Sequence, residues 1–370
     1  MPDILIHAGN LKTGSTAIQA FLFQMRQEIR QEVGLGLPCF DAGSGAHANL
    51  ARDLTVHGPD KGLKWADVMA EVNALGGPTR HLITSEVFIR APAAKLAQKL
   101  GGFSSIRVLF YLRPHIDMFA AAYAQAVKTG NCMRSAEKAF PRFIASREVD
   151  FVAAVEDYLS VFGGDAVQCR EYARAHFPGG DVVRDFADFC ALPGLAPLAE
   201  AVVATERNLS PGAEILSLLL HVRQYLPRKV EAPRALQLRD MVFLPLLRAL
   251  AETLSESTRY RPPVAIQERL KEQFEPGRRQ LGERLGMTPL SAAWYDEPIH
   301  APETPKNPQL DQVEKAFAQV DDWLRLQPEG VHRALLRKVY DGLPTEREGG
   351  VAVVSLAALR QGGTRGGVLG

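Results

Sequence analysis

Paired cysteines are missing from this chain of 370 residues. Cys39, Cys132, Cys169 and Cys190 form no C-x-x-C pair and stand more than twenty positions apart, which excludes a zinc ribbon and a redox motif. They read as reduced, buried thiols of a cytosolic protein. An excess of charge is also missing. Lys and Arg number 43 against 42 Asp and Glu, a net charge of +1, so composition gives no sign of a nucleic-acid or membrane partner and any basic site must be local. No apolar run reaches the roughly 18 residues of a transmembrane helix. The N-terminus passes straight into a strand pattern with no charged n-region or cleavage site, so no signal peptide is read and the expected location is cytoplasmic. There is no internal repeat.

What is present suits an α/β protein. With 46% hydrophobic and 23% charged residues, the chain is long enough to bury a large core. Ile4-Leu5-Ile6 reads as a buried strand ending in a Gly-containing loop. Ile18, Phe21, Leu22 and Met25 follow at helical spacing. Further strands are expected at 81–84, 106–112 and 166–172. The second precedes a helical face of Ile116, Phe119, Ala120, Tyr123 and Val127, and the third precedes a helix "VVRDFADFCALPG" that stops at Gly194. This alternation predicts a mainly parallel sheet flanked by helices, with ligands outside the carboxyl ends of the strands. That rule draws the 9–16 loop, Ser85-Glu86 and Arg113 into one crevice. After residue 200 the pattern is helical: a start at Ser210-Pro211, an apolar face of Ile215, Leu218, Leu219 and Val222, and helices near 234–254, 265–286 and 309–326. The organisation expected is a core at 1–200, a helical continuation at 201–345 covering it, and a Gly-rich mobile tail at 346–370, in which "VAVVSLAAL" could pair or pack.

The loop "HAGNLKTGST", residues 7–16, almost fits the phosphate-binding template G-x-x-x-x-G-K-[ST]. Gly9 and Gly14 have the spacing, and Thr16 stands where a magnesium-binding hydroxyl belongs. Ser15, however, replaces the lysine, and the only lysine is Lys12, inside the loop. From there its ammonium starts close to the bridging oxygens of a short anion and could stabilise a leaving phosphate without a metal. Gly14 permits close backbone approach, and Ser15 and Thr16 offer hydroxyls and helix-terminal amides.

"HAGNLKTGSTAIQAFL" resembles the 5′-phosphosulfate loop of sulfotransferases, which use 3′-phosphoadenosine 5′-phosphosulfate (PAPS), in particular the bacterial pattern H-x-G-x-x-K-T-G-[TS]-T-x-x-Q. Lys12, Thr13, Gly14, Ser15, Thr16 and Gln19 fit it. "LFYLRPHIDMFAAAYAQAVKTG" resembles the family's 3′-phosphate segment, with Arg113 at a strand end and Tyr123, Gln125 and Lys128 on the following helix. The family's serine is Ala121 here, so one hydroxyl contact to the 3′-phosphate is absent. A weaker resemblance covers 170 to about 220, including "ERNLSPGAEILSLL". The R-K-G-x-x-G-D-W-K stretch of the cytosolic animal branch is not found. The resemblance implies a P-loop-like three-layer fold, PAPS as donor substrate, no required metal, and in-line transfer of a sulfuryl group to a hydroxyl or amine. Lys12, Thr13, Gly14, Ser15, Thr16 and Arg113 are implied to bind the donor.

Such a transfer needs a base for the acceptor's proton. Glu86, at the carboxyl edge of its strand beside the loop, is the first candidate, set against capping the next helix or pairing with Arg90. His47, in a Gly-rich turn where bacterial members often carry a His, is the second, set against an exposed loop residue. His7 reads as a packed histidine, and His57 and His115 as surface residues. Arg113 alone also fits a surface pair with Asp117. The acceptor is open: a small molecule, carbohydrate, lipid head or peptide tyrosine, bound by loops around 41–65 and the helical half. Phe40, Trp65, Tyr123 and Trp294 are either its lining or core. Two other readings stay open: a P-loop kinase or NTPase with a deviant loop, and a non-catalytic phosphoadenosine-binding member.

Overall fold

The computed structural model describes residues 2–38, 40–41, 45–55, 64–74, 80–129, 134–146, 148–201, 211–225, 239–254, 258–287, 290–326, 331–349 and 351–362. Cys39, Cys132, His57 and Ser210 lie outside them. The chain divides into two compact units. The first comprises Met1–Met118, Ile144–Glu206 and Arg269–Pro298; the second comprises Phe119–Phe143, Arg207–Glu268 and Ile299–Gly370.

The first unit is built on a five-stranded parallel sheet. Its strands are β1 (Asp3–His7), β2 (Leu35–Gly36), β3 (Arg80–Thr84), β4 (Ser105–Leu112) and β5 (Val167–Glu171), in the order β2-β3-β1-β4-β5. All but two-residue β2 fall where the sequence pattern put them. β2 is too short to carry a period of its own. In chain order up to residue 201, across both units, the longer helices are α1 (Ser15–Gln24), α2 (Ala48–Asp53), α3 (Trp65–Ala74), α4 (Ala93–Lys99), α5 (His115–Lys128), α6 (Ala136–Ile144), α7 (Phe151–Phe162), α8 (Val182–Cys190) and α9 (Leu195–Ala201).

β4 shows why the sheet is buried on both faces. Leu109 and Tyr111 turn to one side, into a core with Ile18, Phe21 and Leu22 of α1 and Phe186 and Phe189 of α8. Phe110, between them, turns to the other side and meets the Tyr158 ring of α7 edge-on at 5.1 Å. A strand covered on both faces must be apolar at every position, hence the unbroken run from Val108 to Leu112. The helix expected to run to Gly194 stops four residues earlier. Cys190 is its last residue, and Ala191 takes the left-handed conformation at φ 51°. Pro193 accounts for this, because it disfavours helical backbone at the residue before it.

The second unit is helical. It holds the end of α5, α6, α10 (Ala213–Gln224), α11 (Leu244–Thr253), the start of α12 (Val264–Leu285), α13 (Leu310–Arg325) and α14 (Val331–Asp341). Leu246 and Leu250 of α11, and Val313, Phe317 and Val320 of α13, are buried. Within the segment read as a tail, β6 (Thr345–Glu348) pairs antiparallel with β7 (Val351–Val354), and α15 (Leu356–Gly362) follows. "VAVVSLAAL" therefore both pairs and packs. Among the described residues no helix is long and apolar enough to cross a membrane.

Candidate functional site

β1 is the central strand, and its register sets the site. His7 lies opposite Thr84 of β3 on one side and Leu109 of β4 on the other. The chain leaves β1 between those neighbours: the Ala8 amide donates to the Leu109 carbonyl at 2.9 Å, and the Ser85 amide donates to the His7 carbonyl at 3.1 Å. In an open parallel sheet this is the crevice where ligands collect.

The loop closes on itself first. The Thr13 hydroxyl donates to the Asn10 carbonyl at 2.8 Å and accepts from the Asn10 amide at 3.2 Å, while Asn10 Oδ1 accepts from the Leu11 amide at 2.6 Å. Thr13 and Asn10 are fully buried. Thr13 was expected to bind the donor, yet its hydroxyl is spent inside the loop. On either side of Thr13 the backbone takes positive φ, at Lys12 (62°) and Gly14 (78°). A non-glycine residue in that conformation is strained, and such strain concentrates at functional sites. Gly14 is the N-cap of α1, and no side chain caps the helix. The Ala17 amide already donates to the Gly14 carbonyl at 2.9 Å, which leaves the amides of Ser15 and Thr16 to face outward at the macrodipole's positive end. Ser15 is buried and Thr16 exposed there.

Any side chain on Gly14 would be crowded. A Cβ on it would lie 2.9 Å from Val182 Cγ1 and 3.0 Å from Tyr172 Cε2, besides requiring left-handed backbone. Gly34 has φ 67° but nothing within 4 Å of the added atom. Gly14→Ala is expected to cost about 2–3 kcal/mol and Gly34→Ala about 1 kcal/mol. Urea unfolding of the two variants checks the difference, and equal losses would contradict the packing described.

Arg113 and Glu86 reach the loop from the neighbouring strands. Arg113 follows β4; its Nη1 donates to the Lys12 carbonyl at 3.2 Å, and its guanidinium lies 5.5 Å from the centre of the Tyr172 ring. The expected pair with Asp117 is also present, at 3.5 Å. Arg113 Nε and Asn10 Nδ2 are buried without a partner. Glu86 opens a tight turn, Glu86–Arg90, after β3. Its backbone packs against the loop, since a Cβ on Gly9 would sit 3.4 Å from Glu86 Cα. Its carboxylate Oε2 accepts from Gln19 Nε2 of α1 at 3.0 Å. The cap and the close ion pair weighed as alternatives for Glu86 are filled by other residues, although its charge still acts on Arg90. Ser85 Oγ caps the turn by accepting from the Val87 amide, and Arg90 pairs with Glu148.

His47 is not an exposed loop residue. It is fully buried, Nδ1 accepts from the Thr84 amide at 3.1 Å, and Nε2 lies 3.3 Å from the Pro38 carbonyl. Burial pushes its pKa down to about 4. Both ring nitrogens hold backbone, so the ring fastens the chain before α2 to the end of β3. His7 is also buried, with Nδ1 2.8 Å from Thr84 Oγ1, and burial lowers its pKa to about 3. His115, read as a surface residue, is fully buried too; burial and then the Arg278 charge lower its pKa to about 3. Of the four aromatics weighed for an acceptor pocket, Trp65, Tyr123 and Trp294 are buried and bond the carbonyls of Leu50, Arg134 and Arg278. Phe40 is partly buried and meets the exposed Phe23 at 5.7 Å.

These three histidines set an acid limit. Unfolded, each titrates near 6.5; folded, near 3 to 4. Between those values the unfolded chain binds more protons, so their contribution is complete above pH 6.5 and is lost as pH falls toward 3. The slope is expected to approach three protons, or about 4 kcal/mol per pH unit. Urea midpoints between pH 7.5 and 5 check this, and a flat profile would contradict it.

The structure thus joins Lys12, Thr13, Gly14, Ser15, Thr16, Glu86 and Arg113 around one loop, and turns His47 inward. Sequence reading missed Asn10 and Tyr172. Tyr172 carried a signal, an aromatic at the carboxyl end of an expected strand; Asn10 carried none. No protein-family model and no curated protein sequence matches the chain. Among solved structures, the chain is similar to the crystal structure of a sulfotransferase from Alicyclobacillus acidocaldarius, at 14% identity and a TM-score of 0.44, covering 80% of this chain and 98% of that one.

Proposed function

We propose that this chain is a sulfotransferase that moves a sulfuryl group from PAPS to a hydroxyl or amine acceptor. The observation that carries the reading is the contact between Arg113 and the Lys12 carbonyl. It brings Arg113 against the loop that carries Lys12, 101 positions away in the chain, at the carboxyl edge of the sheet, which supports reading the two as one basic site. Lys12, the α1 amides, Ser15 and Thr16 hold the 5′-phosphosulfate, and Arg113 holds the 3′-phosphate. Thr13 supports the loop from inside. Tyr172 backs the Arg113 guanidinium and limits its rotation.

In an in-line displacement the acceptor oxygen or nitrogen bonds to sulfur as the bond from sulfur to the bridging phosphate oxygen breaks. Charge then gathers on the departing phosphate, and the Lys12 ammonium and the helix amides stabilise it. The acceptor's proton goes to the Glu86 carboxylate, which Gln19 orients. His47 is left with holding β3, because both its nitrogens are engaged. That engagement supports Glu86 as the base.

The reading is tested by incubating the protein with sulfur-labelled PAPS and a panel of phenols, sugars, lipid alcohols and amines in EDTA. Label on an acceptor supports it. Label that stays on the donor, with turnover of ATP–magnesium instead, would return the loop to the NTPase class. Ala121, half-buried on α5, favours a second reading, a binder without turnover; tight donor binding with no transfer is its signature.

A further inference from the structure

Helix α5 begins with an unusual problem. The residue before it is Pro114, which has no side-chain oxygen to accept from the first-turn amides. The Ile116 amide is buried and that of Asp117 partly so, and buried donors need acceptors. The acceptor comes from 180 positions away: Glu297 Oε1 takes the Ile116 amide at 2.9 Å and the Asp117 amide at 3.4 Å.

Glu297 is itself held. Its other oxygen accepts from Arg278 Nη1 at 2.8 Å. Arg278 is fully buried, donating also to the Trp294 carbonyl at 2.9 Å and the Ala293 carbonyl at 3.2 Å. Its Nη1 lies 3.3 Å from His115 Nδ1, on the first residue of α5. His115 Nε2 lies 2.8 Å from the Val149 carbonyl, so it carries the ring proton and Nδ1 is free to accept from Arg278. The ring is clamped between Phe151 at 4.6 Å and Phe274 at 4.2 Å, nearly parallel to both. A buried ion pair of this kind adds little net stability, because desolvation offsets its attraction, so its geometric effect is the informative one.

That geometry ends at the candidate site. The α5 start fixes Asp117, whose carboxylate meets Arg113 Nη2 at 3.5 Å, and Arg113 holds the Lys12 carbonyl. Pro114 restricts Arg113 to extended backbone, so the guanidinium's place depends on where the helix begins. We infer that Glu297 is a positioning residue for Arg113, setting the site's grip on a 3′-phosphate. This rests on the donor-binding role proposed for Arg113.

The sign of the effect separates positioning from charge. Removing a carboxylate near an anion site should, by electrostatics alone, tighten anion binding. Lost positioning weakens it. The test is calorimetric titration with adenosine 3′,5′-bisphosphate and with adenosine 5′-monophosphate. Their affinity ratio isolates the 3′-phosphate. The proteins are wild type, Glu297→Gln, Arg113→Ala and the double variant. Glu297→Asp, which keeps the charge for Arg278 but draws it back from the α5 amides, serves if Glu297→Gln does not fold. The ratio is expected to fall roughly tenfold in the Glu297 variant and further in Arg113→Ala, with the double variant no lower than Arg113→Ala. An unchanged or higher ratio in the Glu297 variant, beside a lowered one in Arg113→Ala, would overturn the inference alone. So would a Glu297 effect that persists without Arg113. An unchanged ratio in Arg113→Ala would overturn the donor-binding role beneath it.

Discussion

Lys12→Gly is expected to lower turnover by roughly 10²- to 10³-fold while leaving the protein as stable as before, or up to about 1 kcal/mol more stable. The two halves have separate causes. Lys12 holds a non-glycine residue at φ 62°. Glycine adopts that backbone without strain, and the relief offsets or exceeds its greater freedom in the unfolded chain. The ammonium, by contrast, acts on charge that develops as the donor's bond breaks, so its loss falls on kcat more than on donor affinity. Lys12→Ala removes the same charge without relieving the strain, and should match the kinetic loss with no gain in stability. Urea unfolding and steady-state kinetics on the three proteins check this. A Lys12→Gly variant that is both active and destabilised would mean the residue is held at positive φ for structural reasons alone.

Glu86→Gln is expected to lower kcat by roughly 10²- to 10⁴-fold, the usual span for loss of a general base. The glutamine keeps the shape of the side chain and can still accept from Gln19 Nε2, so the turn after β3 should stand. Binding of adenosine 3′,5′-bisphosphate should change little, since Glu86 touches the loop through backbone packing against Gly9. His47→Gln should behave in the opposite way. It removes a buried tie between the Thr84 amide and the Pro38 carbonyl, so its main effect is on stability. Comparison of kcat, bisphosphate affinity and urea midpoint for both variants checks the assignment. A His47 variant that folds normally and loses kcat, beside an active Glu86→Gln, would reverse the two roles.

The sheet was legible because parallel strands buried on both faces are apolar at every position, as in the run at 108–112, and because each is followed by a helix of period 3.6. β2 was not, since two residues carry no pattern. The loop was legible from the spacing of Gly9, Lys12 and Gly14. Its internal wiring was not: nothing in "NLKT" tells whether the Thr13 hydroxyl points out to a ligand or back to Asn10. The histidines mark the clearest limit. His47 and His115 stand in polar or helix-start surroundings along the sequence, yet both are fully buried, because their covers come from Pro38 and Thr84 in one case and from Phe151, Phe274 and Arg278 in the other. The Glu297 cap on α5 belongs to the same class. Its two ends are 181 positions apart, and only the fold reveals that Pro114 leaves a cap to be supplied from elsewhere.

The central claim is a phosphoadenosine site built from Lys12, the start of α1 and Arg113. The most direct measurement is calorimetric titration of the full chain with adenosine 3′,5′-bisphosphate in EDTA, for wild type and Arg113→Ala. Metal-free binding that weakens about tenfold or more in Arg113→Ala is the predicted result, as expected for one lost charge-assisted contact. No binding in EDTA, together with binding of ATP–magnesium that Arg113→Ala leaves intact, would contradict it.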